Sequence, residues 1–166
     1  YTGWEQTLAE LSKLWEKRKD FKVLVPDPGS KISQIDLHEK YPCTEVIDKS
    51  TWTHEAYLKA CWESDVCIGN HQYPATWGGL AITEPMAAYT VPIIPRRHAY
   101  IEMFYEDSPS FFDSKRSISQ VVEYYMDNSE ALKRDKVLAR QFCEDNLSPK
   151  KFVNRIHEKI LELTAT

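Results

Sequence analysis

Asp65-Val-Cys-Ile-Gly-Asn-His-Gln-Tyr-Pro-Ala-Thr-Trp-Gly-Gly-Leu-Ala-Ile-Thr-Glu84-Pro-Met-Ala-Ala-Tyr-Thr-Val-Pro-Ile-Ile94 is the stretch on which the fold turns. Val66-Cys-Ile-Gly69 is apolar on both faces and reads as a short buried strand, followed by a polar loop with Pro74 and the pair Gly78-Gly79. Leu80 to Ala88 reads as a helix, and Val91-Pro-Ile-Ile94 as a second buried strand. A strand, a helix and another strand in so few residues form a βαβ unit, which calls for a parallel sheet. Glycines at a helix start let a ligand approach free backbone N–H groups, and the helix dipole favours an anion there. Glu84 follows Gly79 by five residues and is placed to accept hydrogen bonds from a ribose diol beyond such an anion. Pro85 removes one helical hydrogen bond and is expected to kink the helix.

The same alternation extends in both directions. Trp4, Leu8, Leu11, Leu14 and Trp15 recur by threes and fours between Gly3 and Lys19, the pattern of an amphipathic helix. Phe21-Lys-Val-Leu-Val25 reads as a strand ending at the turn signal Pro26-Asp-Pro-Gly29. A weak helix from about Ile32 to Tyr41 and a short strand at Val46-Ile47 follow, then a helix carrying Tyr57, Leu58, Cys61 and Trp62, capped by Thr51 or Thr53. Beyond Ile94, Phe111-Phe112 is a last short strand. Ser117-x-x-Gln120 is a capping box, Asn128 or Ser129 caps the next helix, and Ser148-Pro149 opens the final one. That helix is expected to turn Phe152, Val153, Ile156, Ile160 and Leu161 inward. The whole reads as an α/β domain of three layers, with a parallel sheet between helices. Ligands in such folds bind beyond the carboxyl ends of the strands, which singles out loops 26–30, 48–52, 69–79 and 95–100.

Composition sets the outer bounds. With 166 residues, a net charge of −4 and 42% hydrophobic residues, the chain is long and apolar enough for one real core. No run approaches the roughly 20 apolar residues of a membrane span. The acidic balance argues against broad binding to nucleic-acid phosphates. Cys43, Cys61, Cys67 and Cys143 form no C-x-x-C pair, and no histidines interleave at zinc spacing. Four reduced, buried thiols in the cytoplasm are expected, with no metal site. The five tryptophans are read as mostly core, apart from Trp77 in the glycine loop. No G-x-G-x-x-G follows the first strand and no P-loop is present, which speaks against a dinucleotide oxidoreductase or a nucleoside triphosphatase.

The segment from Asp65 to Ile94 resembles the donor-binding motif of GT-B glycosyltransferases, in particular the large retaining family of group 1 glycosyltransferases that includes sucrose synthase and many mannosyltransferases. Gly79-Leu80-Ala81, Glu84, Met86-Ala87 and Val91-Pro92-Ile93-Ile94 match that pattern in register, and Ile101-Glu102-Met103 stands at its Pro-Glu-Ile-like turn. The likeness spans nearly the whole chain. Tyr100-Ile-Glu-Met-Phe104, after Pro95-Arg96-Arg97, is also similar to tRNA-queuosine mannosyltransferases.

The resemblance implies a Rossmann-like domain, residues 1–166, forming the C-terminal half of a GT-B enzyme whose N-terminal acceptor domain is absent from this chain. It implies a UDP- or GDP-linked sugar as donor substrate, transfer of a hexose with retention to an unknown acceptor, no further cofactor, and no turnover by this half alone. Gly78, Gly79, Leu80, Ala81 and Glu84 would hold the donor nucleotide, and Ile47 and Asp48 would pack its base. Thr76 stands where the family has its first motif glutamate, and with His71 is the candidate for the sugar and the chemistry. Tyr89 stands where the family has a glycine, and Thr2-Gly3 where Lys-Gly is usual.

Plainer readings stand beside these. Glu84 is otherwise an exposed helix acid, Gly78-Gly79 a simple turn, His71 a solvated loop histidine, and Arg96-Arg97 a solvated pair rather than a phosphate or acceptor contact. The competing functions are a GT-B nucleotide-sugar epimerase or phosphorylase, and a non-catalytic nucleotide-binding module.

Overall fold

The computed structural model describes residues 3–26, 34–47, 50, 53–70 and 79–164. It is a mixed α/β structure with parallel sheets and helices on both sides. The elements run α1 (Trp4–Lys17), β1 (Val23–Pro26), α2 (Gln34–Lys40), β2 (Thr44–Ile47), α3 (His54–Glu63), β3 (Val66–Ile68), α4 (Leu80–Ala87) and β4 (Val91–Pro95). A 3-10 turn (His98–Glu102), β5 (Phe111–Phe112), α5 (Ile118–Asp127), α6 (Ser129–Asn146) and α7 (Pro149–Thr164) complete the chain.

Strand β4 shows why the layers form. All five of its residues are buried. Val91 and Ile93 join the core built by Leu8, Leu11 and Leu14 of α1 and Ile118, Val121 and Tyr125 of α5. Ile94 joins the opposite core, with Ile82 and Met86 of α4, Ala139 and Cys143 of α6, and Phe111. Successive strand residues point to opposite faces, so an unbroken apolar run needs a helical layer on each side. Pro92 is tolerated here because odd-numbered residues carry the bonds to β3, as Val91 N–H donates to the Asp65 carbonyl at 3.1 Å. The β5 ladder begins only at Ile94. The proline therefore sits where its missing N–H interrupts no ladder.

The single parallel sheet expected from the sequence is found in two pieces. β1 pairs in parallel with β2, and β3-β4-β5 form a separate parallel sheet. Among the described residues β1 and β3 do not pair. Instead both line one cleft of about 720 Å³. Alternation of apolar residues reveals that both faces of a strand are covered, but says nothing of what lies along its edge.

Local signals were realised closely at several helix starts. The Thr53 hydroxyl accepts from Ala56 N–H at 3.1 Å and caps α3. Both halves of the Ser117–Gln120 capping box are made, and Ser148 accepts from Lys151 N–H at 3.3 Å. α4 runs through Pro85 and ends two residues later.

Four expectations need correction. Asn128 precedes α6 without capping it, because its amide turns back to donate to the Tyr124 carbonyl at 2.8 Å and closes α5. Trp62 is 63% exposed, edge-on to Tyr89, and so is not core. Val153, Ile156, Ile160 and Leu161 of α7 are roughly half exposed rather than turned inward. An amphipathic pattern identifies the apolar face of a helix without supplying its cover. All four cysteines are free thiols, but Cys67 is only half-buried, because it borders the cleft.

Candidate functional site

The carboxyl ends of β2, β3 and the start of α4 gather the described part of the candidate site. Gly69, directly after β3, is buried, and an added Cβ there would strike the Ile82 side chain, whose Cγ1 would lie 3.0 Å away. Only glycine lets α4 pack this closely over the end of β3. Asn70 follows, and its amide donates to the Gly3 carbonyl at 3.3 Å and the Thr7 hydroxyl at 3.1 Å. The start of α1 is thereby pinned to the carboxyl end of β3. Gly3 is left-handed at φ +53, and an added Cβ would meet the Asn70 carbonyl oxygen at 2.8 Å.

Gly79 precedes α4 with φ +42 and no side-chain cap. Its carbonyl accepts from the Ile82 N–H at 3.2 Å, the Thr83 N–H at 3.1 Å and the Thr83 hydroxyl at 3.2 Å. The first amides of a helix have no partner within the helix, and no acceptor for the N–H groups of Leu80 and Ala81 is found among the described residues. At its other end α4 is held by Arg140, which donates to the Ala87 carbonyl at 2.6 Å.

Glu84 is half-buried on α4, and it acts together with Cys61 on the phenol of Tyr57 in α3. Burial, together with Cys61 and Glu84, holds the Tyr57 phenol well above its ordinary value. Burial also raises the Cys61 thiol, against the opposing Tyr57 bond. Tyr57 therefore keeps its phenol proton at neutral pH, in the neighbourhood of Glu84.

Of the residues singled out in the sequence, Ile47 and Ala81 line the same cleft, with Tyr57 and Asn70. Gly79 and Glu84 sit on the adjoining turn and helix. Asp48, His71, Thr76 and Gly78 lie outside the described residues. Arg96 is engaged elsewhere: its guanidinium lies over the Phe111 ring at 4.8 Å and donates to the Glu106 carbonyl at 3.0 Å. Sequence reasoning missed Tyr57 as a neighbour of Glu84, and the only hint was its position one turn before Cys61. It also missed Asn70 as the anchor of α1. Among the described residues, no three His, Cys, Asp or Glu side chains group in a way that could hold a metal ion. No described helix is long and apolar enough to cross a membrane.

Tyr89, at the end of α4, has φ +61. That left-handed conformation costs an L-residue about 1–2 kcal/mol and is the one glycine adopts freely. No family model matches the chain, and no curated protein matches it significantly.

Proposed function

We propose that this chain is the donor-binding half of a retaining glycosyltransferase of the GT-B type, holding a UDP- or GDP-linked hexose. The observation that carries the reading is the start of α4 at Gly79, without a side-chain cap and behind the carboxyl end of β3, with half-buried Glu84 one and a half turns further on. The left-handed Tyr89, at the position where the resembled pattern has glycine, supports it.

In this reading the diphosphate accepts hydrogen bonds from the Leu80 and Ala81 amides, with the helix dipole adding to the attraction. The same contacts stabilise the diphosphate as a leaving group, since its negative charge grows as the sugar departs. Glu84 accepts from the ribose hydroxyls, with the neutral Tyr57 phenol in its neighbourhood. Ile47, at the end of β2, packs against the base. Asp48, His71, Thr76 and Gly78 keep the roles the resemblance implies, with Thr76 and His71 toward the sugar. The acceptor and its base belong to the other half of the enzyme, so this half binds donor without turnover.

Calorimetric titration with UDP- and GDP-sugars tests the proposal. One of them is expected to bind, and Glu84→Gln to weaken it about tenfold, the size of one lost charge-assisted hydrogen bond. A donor lacking the ribose hydroxyls is expected to be insensitive to that substitution. Failure of both donors to bind, to this chain and to the full-length protein carrying it, would overturn the reading.

A further inference from the structure

The cleft between β1 and β3 has the form of a vacant strand position. In β1 the odd-numbered residues bond to β2, as the Val23 N–H donates to the Cys43 carbonyl at 2.8 Å. Parity then turns the backbone groups of Leu24 toward the cleft. In β3 the Gly69 N–H donates to the Ile93 carbonyl at 2.9 Å, and the Asp65 carbonyl accepts from Val91, so the odd-numbered residues face β4. The N–H and C=O groups of Val66 and Ile68 therefore face the cleft from the other side. Two parallel edges, whose backbone donors and acceptors have no strand partner among the described residues, border the same apolar space. Such edges are templates for a further strand.

The walls of the space fit that use. Leu8 and Leu11 of α1 and Val122 of α5 close one face, and Cys61, Ala81 and Pro85 of α3 and α4 close the other. A strand between two helical layers is apolar on both sides.

We infer that a parallel strand of about four or five residues, formed by chain immediately preceding Tyr1, docks between β1 and β3 and joins the two sheets into one. The direction follows from α1. A strand parallel to β1 and β3 ends at the carboxyl end of β3, and that is where Asn70 holds Gly3 at the start of α1. The inserted strand thus ends beside the start of α1, close enough for the short connection usual in a βα unit. Inserted strand, α1 and β1 form one βαβ unit with adjacent strands, as β1, α2 and β2 already do. The completed order, β2-β1-inserted strand-β3-β4-β5, reverses direction between the inserted strand and β3. This is the doubly wound order, with its ligand crevice at the point of reversal. Asn70 and Gly79 stand at that crevice. The inference rests on the strand edges and the cleft, independently of the nucleotide-sugar reading.

Hydrogen exchange tests it on two chains, the 166 residues alone and the same chain extended by the residues encoded directly upstream of Tyr1. The amides of Leu24, Val66 and Ile68 are expected to exchange freely in the first and to slow about tenfold or more in the second. Modification of the Cys67 thiol is expected to slow in parallel, and the extended chain to remain monomeric by light scattering. Three results would overturn the inference: protection already present in the shorter chain, which means β1 and β3 pair directly; protection that appears only on dimerisation, which assigns the space to a second copy; and no protection, with no slowing at Cys67, in the extended chain. A reading frame that opens at Tyr1 would also overturn it.

Discussion

The two sheets of this protein are built from similar sequence and end up differently packed. β4 is buried at every residue, with Val91, Ile93 and Ile94 fully enclosed by helices, while β3 beside it, on the cleft, is half-buried throughout. β1 is equally apolar, yet three of its four residues are half-buried and the fourth is exposed. What separates them is their edges. β4 lies between two strands, whereas β1 has a strand on one side and a cleft on the other. Hydrophobicity alone does not bury a strand; a neighbour on each edge is needed as well.

Substitutions sharpen that contrast, in order of expected effect. Ile94→Ala should cost about 3 kcal/mol in urea denaturation, as a truncation in an enclosed core does. Val25→Ala should cost about 1 kcal/mol, because much of its surface is already open to the cleft. Equal costs would break the comparison. Tyr125 borders the cleft, and its hydroxyl donates to the buried Asp135 carboxylate at 2.8 Å. Tyr125→Phe removes that donor and should cost about 2 kcal/mol.

The same residue has a pH signature. Burial and Asp135 hold the Tyr125 phenol above its ordinary value, so the folded state keeps a proton that the unfolded chain releases. Its contribution is full below about pH 10 and is lost as pH rises above that. Burial also pushes the Cys143 thiol up to about 11, adding to the alkaline loss. Tyr125→Phe should flatten the fall above pH 10 and leave the Cys143 share.

Thr53→Ala removes the cap of α3, the helix that carries the chain from the open sheet to the closed one. It should cost about 1 kcal/mol. The smallest effect has the opposite sign. Tyr89→Gly relieves a left-handed residue and should raise stability by a few tenths to about 1 kcal/mol. Part of the backbone gain is offset by lost ring contacts with Trp62 and Arg140. Thermal unfolding of the variant beside the parent resolves it.

The features legible in the sequence are those fixed by nearby residues. Val91-Pro-Ile-Ile94 announced a strand covered on both faces, and Ser117 with Gln120 announced a helix start, because each depends on spacing within a few residues. The break between β1 and β3 was not legible, since it depends on which strands lie side by side across α2, β2 and α3. The exposure of the α7 face and of Trp62 escaped for the same reason. In the candidate site, Gly79 and Glu84 stood out through their register on one helix. Tyr57 did not, because its proximity to Glu84 crosses from α3 to α4. Asn70 gave no sign that its amide would hold the start of α1, far away in the chain.

The central claim, that α4 begins at a nucleotide-diphosphate site, is tested most directly by recording backbone amide resonances during titration with a UDP- or GDP-sugar. The amides of Leu80 and Ala81 are expected to move most and to saturate with the calorimetric isotherm. A bound nucleotide sugar that leaves both amides unmoved at saturation would contradict it.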